Sequence, residues 1–129
     1  MSQSREFLEP AGLRVTVDHV IYSPEMPTPP GRPHCFVYYI SIHNDTDLPV
    51  TIQGRKWVVT NSRGVINALE GEGVVGETPT IEPGKKFTYN SRHLLDTRSG
   101  VAEGSYRGVD AQRRKVVTRI PRFEMIVPE

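Results

Sequence analysis

The chain has 129 residues, a formal net charge of +1, eleven glycines, eleven prolines and one cysteine, Cys35. That length suits a single domain burying roughly two-thirds of the surface its unfolded chain would expose, so folding needs neither metal nor disulfide. The composition excludes an internal disulfide and lacks the basic excess of a nucleic-acid binder, and no apolar run approaches the ~20 residues of a membrane span.

Residues 1–10 show no period and read as a flexible tail before one domain over 11–129. Met1-Ser2-Gln3-Ser4-Arg5-Glu6 opens no apolar signal core, and the expected location is the cytoplasm. Leu13 to Tyr22 alternates as a half-buried strand, with Leu13, Val15, Val17, His19 and Ile21 on the apolar side. Ser23 to Pro33 holds five prolines in eleven residues and can only be an extended connection. Cys35 to His43 is the strongest strand, with Phe36, Tyr38, Ile40 and Ile42 facing one way, and Asn44-Asp45-Thr46-Asp47 supplies its turn. Val50 to Asn61 is the next strand, with Gly54 marking a bulge and Trp57 and Val59 sharing a face. A short strand over Val65 to Leu69 leads to the run Glu70-Gly71-Glu72-Gly73-Val74-Val75-Gly76-Glu77. Lys85 to Arg92, Val101 to Val109 and Lys115 to Val127 complete the strands. Gly104 and Gly108 mark close approach of another segment, and Pro121 requires an edge or a break.

Seven or eight short strands with turns about every ten residues, and no helix-period segment, predict an antiparallel β-sandwich of immunoglobulin or fibronectin III shape. A small barrel is the alternative. The missing Cys…Trp…Cys framework removes the antibody-type branch.

Gly71, Gly73 and Gly76 spell G-x-G-x-x-G, a phosphate-binding fingerprint when a strand precedes it and a helix follows. Here Pro79 and Pro83-Gly84 forbid the helix, and Glu70, Glu72 and Glu77 would repel a phosphate. Asp96, spaced as a ribose-binding acid would be, lies in an apparent loop. The run therefore reads as a bend between two strands, with anion binding as the minor alternative.

Other chemistry is sparse. His19, His34, His43 and His93 lack the spacing that aims two ligands at one ion, so neither metal nor cofactor is expected. Ser91, His93 and Asp96 have no nucleophile-elbow context, and no enzymatic activity is expected. Arg113, Arg114, Lys115, Arg119 and Arg122 form a basic run without interleaved aromatics, which reads as a charged hairpin and protected edge rather than a nucleic-acid surface. The expectation is a protein-interaction module with Glu72, Glu77 and Pro79 facing an unidentified protein partner, and with a homodimer open to its exposed edges; Trp57 is a candidate for the same surface, but Val59 on its face favours a place in the core.

Several blocks in order carry a specific resemblance. They are Val37-Tyr38-Tyr39-Ile40-Ser41-Ile42, Arg55-Lys56-Trp57-Val58-Val59-Thr60, Gly71 to Pro79, Ile81-Glu82-Pro83-Gly84-Lys85-Lys86-Phe87-Thr88-Tyr89, Gly104-Ser105-Tyr106 and Ile120-Pro121-Arg122-Phe123. In these the chain resembles the bacterial ApaG proteins. The family usually has Arg-His-Trp where this chain has Arg55-Lys56-Trp57, and Ile-Pro-Pro-Phe where it has Arg122. The resemblance implies a fibronectin III-like sandwich, an association with cobalt resistance and magnesium efflux, and eukaryotic relatives built into interaction proteins. It also brings a gene neighbourhood with a diadenosine tetraphosphate hydrolase and a reading of Gly71, Gly73 and Gly76 as a pyrophosphate site, so the alternative function is a binder or hydrolase of nucleotides with pyrophosphate groups.

Overall fold

The computed structural model, which describes residues 7–129, has eight strands, most of them built on period-two alternation. They are β1 (Leu13–Tyr22), β2 (His34–Asn44), β3 (Val50–Asn61), β4 (Ile66–Glu72), β5 (Thr80–Ile81), β6 (Lys85–Leu95), β7 (Ser99–Asp110) and β8 (Lys115–Ile126). No described residue is helical. All pairings between strands are antiparallel. They make a three-stranded sheet, β1-β2-β6, and a five-stranded sheet, β4-β3-β7-β8 with β5 on the end of β3.

The inward faces meet in one cluster centred on Phe36, Ile40, Ile42, Ile52, Tyr106 and Met125, all at most 2% exposed. On one flank β1 packs against β8, and Thr118 Oγ1 donates to the Leu13 carbonyl at 2.8 Å. Tyr89 and Tyr106 join the sheets through a buried hydroxyl–hydroxyl hydrogen bond. Asn44, fully buried, donates to the Leu48 and Ile81 carbonyls and accepts from Thr46, so all its polar groups are satisfied.

The structure corrects the sequence in four places. In β1 the register slips between Val17 and His19, where Asp18 is an extra residue. The bulge reverses the parity of the strand beyond it, so Val20 and Tyr22 turn to the core while His19 and Ile21 face out. The Asp18 carboxylate holds the bulge by accepting from Thr16 and Ser41, at 2.9 and 2.6 Å. Residues 1–6 of the expected tail lie outside the described residues. Leu8 is not loose, because its N–H donates to Lys115 and its carbonyl accepts from Val117 along the β8 edge. β4 runs three residues further than expected, so Gly71 is a strand residue opposite Arg55. Thr80 and Ile81, expected in a loop, pair with β3.

Elsewhere the local rules hold. Gln53 is the extra residue of a bulge beside Gly54. Pro121 lies on edge strand β8, where the register against β7 slips between Ala102 and Gly104.

Candidate functional site

The glycine run resolves into three separate steric requirements. A Cβ on Gly71 would lie 2.8 Å from the Arg55 guanidinium, which crosses the strand there and donates to the Glu72 and Gly73 carbonyls. Gly73 has φ 65°, and a Cβ there would meet the Glu77 carbonyl oxygen at 2.4 Å. Gly76 has φ 83° and follows Val75 at φ 43°, the pair of positive φ values of a type I′ turn closed between Val74 and Glu77. Arg107 lies against Gly54 and bonds the Glu72 carboxylate at 2.8 Å, so two arginines clamp the loop from β3 and β7.

The amides of this loop are mostly engaged. Gly73 N–H donates to Gln53, Val74 N–H to Glu77 and Glu77 N–H to Val74, at 2.7, 2.7 and 3.0 Å. A phosphate nest needs several such donors converging on one open point. Here three are spent on the fold, and no helix N-terminus follows. Gly73→Ala should cost about 2 kcal/mol or more, from its φ and the Glu77 contact together. Val75→Gly should stabilise by about 0.5 kcal/mol or more, since a β-branched residue is strained at positive φ. Urea denaturation of the two variants checks both signs.

Among the expected partner-facing residues, Glu72 and Glu77 are exposed and Pro79 is half-buried. Trp57 takes the core place that Val59 on the same face favours. It is 3% exposed and packs between the sheets, because its face of β3 looks at β2 and β6. The structure instead exposes a different element.

Five strands lie over three, and β4 is the surplus at the open flank. Leu69 and Asn67 stand opposite Trp57 and Val59 on the inward side of the larger sheet, yet both are exposed, since no strand of the smaller sheet reaches over them. Leu69 keeps 56% of its surface in solvent, and nearby Val65 keeps 50%. Between this overhang and the free edge of β6 lies a cleft of about 330 Å³. Val59, Val65 and Leu69 form its apolar side, and Arg92 to Asp96 with Arg32 form the other. Asp96 is occupied by Asn61 and Arg63, at 3.0 and 2.8 Å, and its carboxyl is held below the ordinary range chiefly by the Asn61 bond. Among the described residues Arg32 and Arg92 have no ion-pair partner.

His93 forms the floor. Its ring stacks on Tyr38 at 4.7 Å, meets Trp57 edge-on at 4.5 Å and lies near Phe123. Trp57 Nε1 and His93 Nε2 are both buried without a hydrogen-bond partner. Burial pushes the His93 pKa down to about 4, so the imidazole is neutral at pH 7. The unfolded chain takes up this proton below about 6.5, and the folded chain only near 4. Stability should therefore fall by roughly 3 kcal/mol as pH drops through that window. Asp18 and Asp96 are held below their ordinary values and lose their contribution only at lower pH. Urea midpoints at pH 7, 5.5 and 4 should show the His93 slope, and His93→Phe should flatten it.

Ser91, His93 and Asp96 form no relay, since the Asp96 carboxylate bonds Asn61 and Arg63 rather than His93. Among the described residues no three His, Cys, Asp or Glu side chains gather as a metal site, and no helix is long and apolar enough to cross a membrane. The basic residues of the β7–β8 turn and of β8 are partly paired, Arg114 with Asp110 and Arg119 with Glu9. Sequence reasoning missed the Arg55–Arg107 clamp and the cleft. Its one signal was Leu69, an apolar residue in a strand too short to have an assigned face.

The strand order and the two-layer packing define an all-β, fibronectin III-like antiparallel sandwich. The sequence model of the ApaG domain matches residues 24–110, and the chain belongs to the ApaG family. It is 37% identical to Protein ApaG of Proteus mirabilis (strain HI4320) over 108 residues, 84% of this chain and 86% of that one. It is 40% identical to Protein ApaG of Shewanella halifaxensis (strain HAW-EB4) over 101 residues, 78% of this chain and 80% of that one. The crystal structure of the putative ApaA protein from Bordetella pertussis superposes with a TM-score of 0.83 at 30% identity, covering 95% of this chain and 98% of that one.

Proposed function

We propose that this chain is a non-enzymatic interaction module whose protein partner docks in the cleft between β4 and β6. The observation that carries this reading is the uncovered inward face of β4, with Leu69 and Val65 about half in solvent above a cleft of about 330 Å³. Isolated exposed apolar residues need no explanation, but an apolar overhang beside a free strand edge is a place where another chain gains both burial and backbone hydrogen bonds. The single cysteine, buried and unpaired, suits a reducing compartment such as the cytoplasm.

The pyrophosphate reading of the glycine run has less support, given its spent amides and surrounding glutamates. The test is a quantitative pull-down from the cytoplasm of the source cells with wild type, Leu69→Arg and, on the opposite edge, Glu124→Lys. The reading expects a stoichiometric protein that Leu69→Arg loses and Glu124→Lys keeps. Equal recovery by all three, or a saturable thermal shift with diadenosine tetraphosphate and no protein partner, would overturn it.

A further inference from the structure

The smaller sheet lacks a strand at the position where the larger sheet has one to spare. β6 is paired along its whole length with β2 on one side, and its other edge runs beside the cleft with no strand on it. The main-chain groups on that edge are unused donors and acceptors. A strand laid against β6 would sit over β4, turn alternate side chains onto Leu69 and Val59, and equalise the two layers. The overhang thus offers backbone pairing and apolar burial in the geometry of one extended segment.

The charge of the cleft narrows the segment further. Its one carboxylate, Asp96, is already bonded to Asn61 and Arg63. Its two guanidinium groups, Arg32 and Arg92, are exposed and have no partner among the described residues. Arg32 belongs to the proline-rich connection, whose fixed backbone angles keep it beside the β6 edge. An acidic side chain lying between them would complete the pairing.

We propose that the cleft takes an extended peptide strand of a partner protein, paired along the free edge of β6, with apolar side chains on Leu69 and an acidic side chain between Arg32 and Arg92. This rests on the interaction-module reading and specifies its partner. A second copy of this chain is the competing occupant. It fits less well because the Glu72 carboxylate of its β4 edge is already bonded to Arg107, at 2.8 Å.

The probe is a blocked peptide of alternating valine and threonine with one central aspartate, titrated into the intact chain and followed by amide shifts and hydrogen exchange. The expected result is slowed exchange confined to β6 amides, with binding weakened roughly five-fold when lysine replaces the aspartate. Arg92→Glu should reverse that preference while leaving the fold intact, because Arg92 is exposed and unpaired. Protection along β4 instead, no charge preference, no binding, or dimerisation of the free chain through this flank in sedimentation would each overturn the peptide-strand proposal. If Leu69→Arg still loses the pulled-down protein in those cases, the module reading survives alone. If it does not, both fall.

Discussion

Trp57→Ala lowers stability by about 3–5 kcal/mol. Trp57 is 3% exposed and touches Tyr38, His93 and Phe123, contributed by β2, β6 and β8. Removing the indole takes away the piece that fills the space between three strands, and the flanking rings cannot collapse into it without moving the sheets. The orphaned Trp57 Nε1 offsets a little of this loss, since its desolvation cost disappears with the side chain. Trp57→Phe keeps most of the packing, removes the orphan and should cost under about 1.5 kcal/mol. Urea unfolding of the two variants separates packing from polarity. A Trp57→Ala protein of near-native stability that had lost partner recovery would contradict this core role and assign Trp57 to binding.

Gly104→Ala costs about 3 kcal/mol or more, although it adds one methyl group. A Cβ on Gly104 would lie 2.0 Å from the Lys56 carbonyl oxygen and 3.2 Å from the Trp57 Cα. Those are backbone atoms of β3, the central strand of the larger sheet, and they cannot step aside as a side-chain tip would. The methyl must push β7 away from β3 at the level of Trp57, opening the layer that carries the cleft. Overpacking of this kind costs 1–3 kcal/mol where side chains can yield, and the backbone contact puts this site above that range. Gly64→Ala is the control, because its Cβ would meet nothing within 4 Å and only its φ of 81° is unfavourable. It should cost about 1 kcal/mol. Equal losses at the two glycines would contradict the close packing of β7 on β3.

The strands were legible because each half-buried strand writes its face into alternate residues. Phe36, Tyr38, Ile40 and Ile42 of β2 are all buried as their alternation requires. β1 misled beyond Asp18, since a bulge is an inserted residue with no composition of its own and it reverses every later face. β5 was invisible because two residues between prolines carry no period. Thr80 and Ile81 are held by β3, and by Asn44 reaching the Ile81 carbonyl. The glycine run was legible as a bend, but not the arginines that require Gly71 and Gly54 to lack side chains, since those arginines approach across strands. The cleft left only Leu69 as a sign in the sequence. It exists because five strands face three, and that count follows from which strand joins which sheet. Alternation placed Trp57 and Val59 on one face and could not say that the same face, carried across to Leu69, would be left uncovered.

The central claim is that partners dock on the overhang of β4 and not on the glycine turn beyond it. A photo-crosslinking amino acid placed in turn at Leu69 and at Val75, both exposed, tests this in the intact chain inside the cell. The structure predicts a discrete crosslinked partner from position 69 and none from position 75. Crosslinking from position 75 alone would return the interaction to the glycine run and contradict the account.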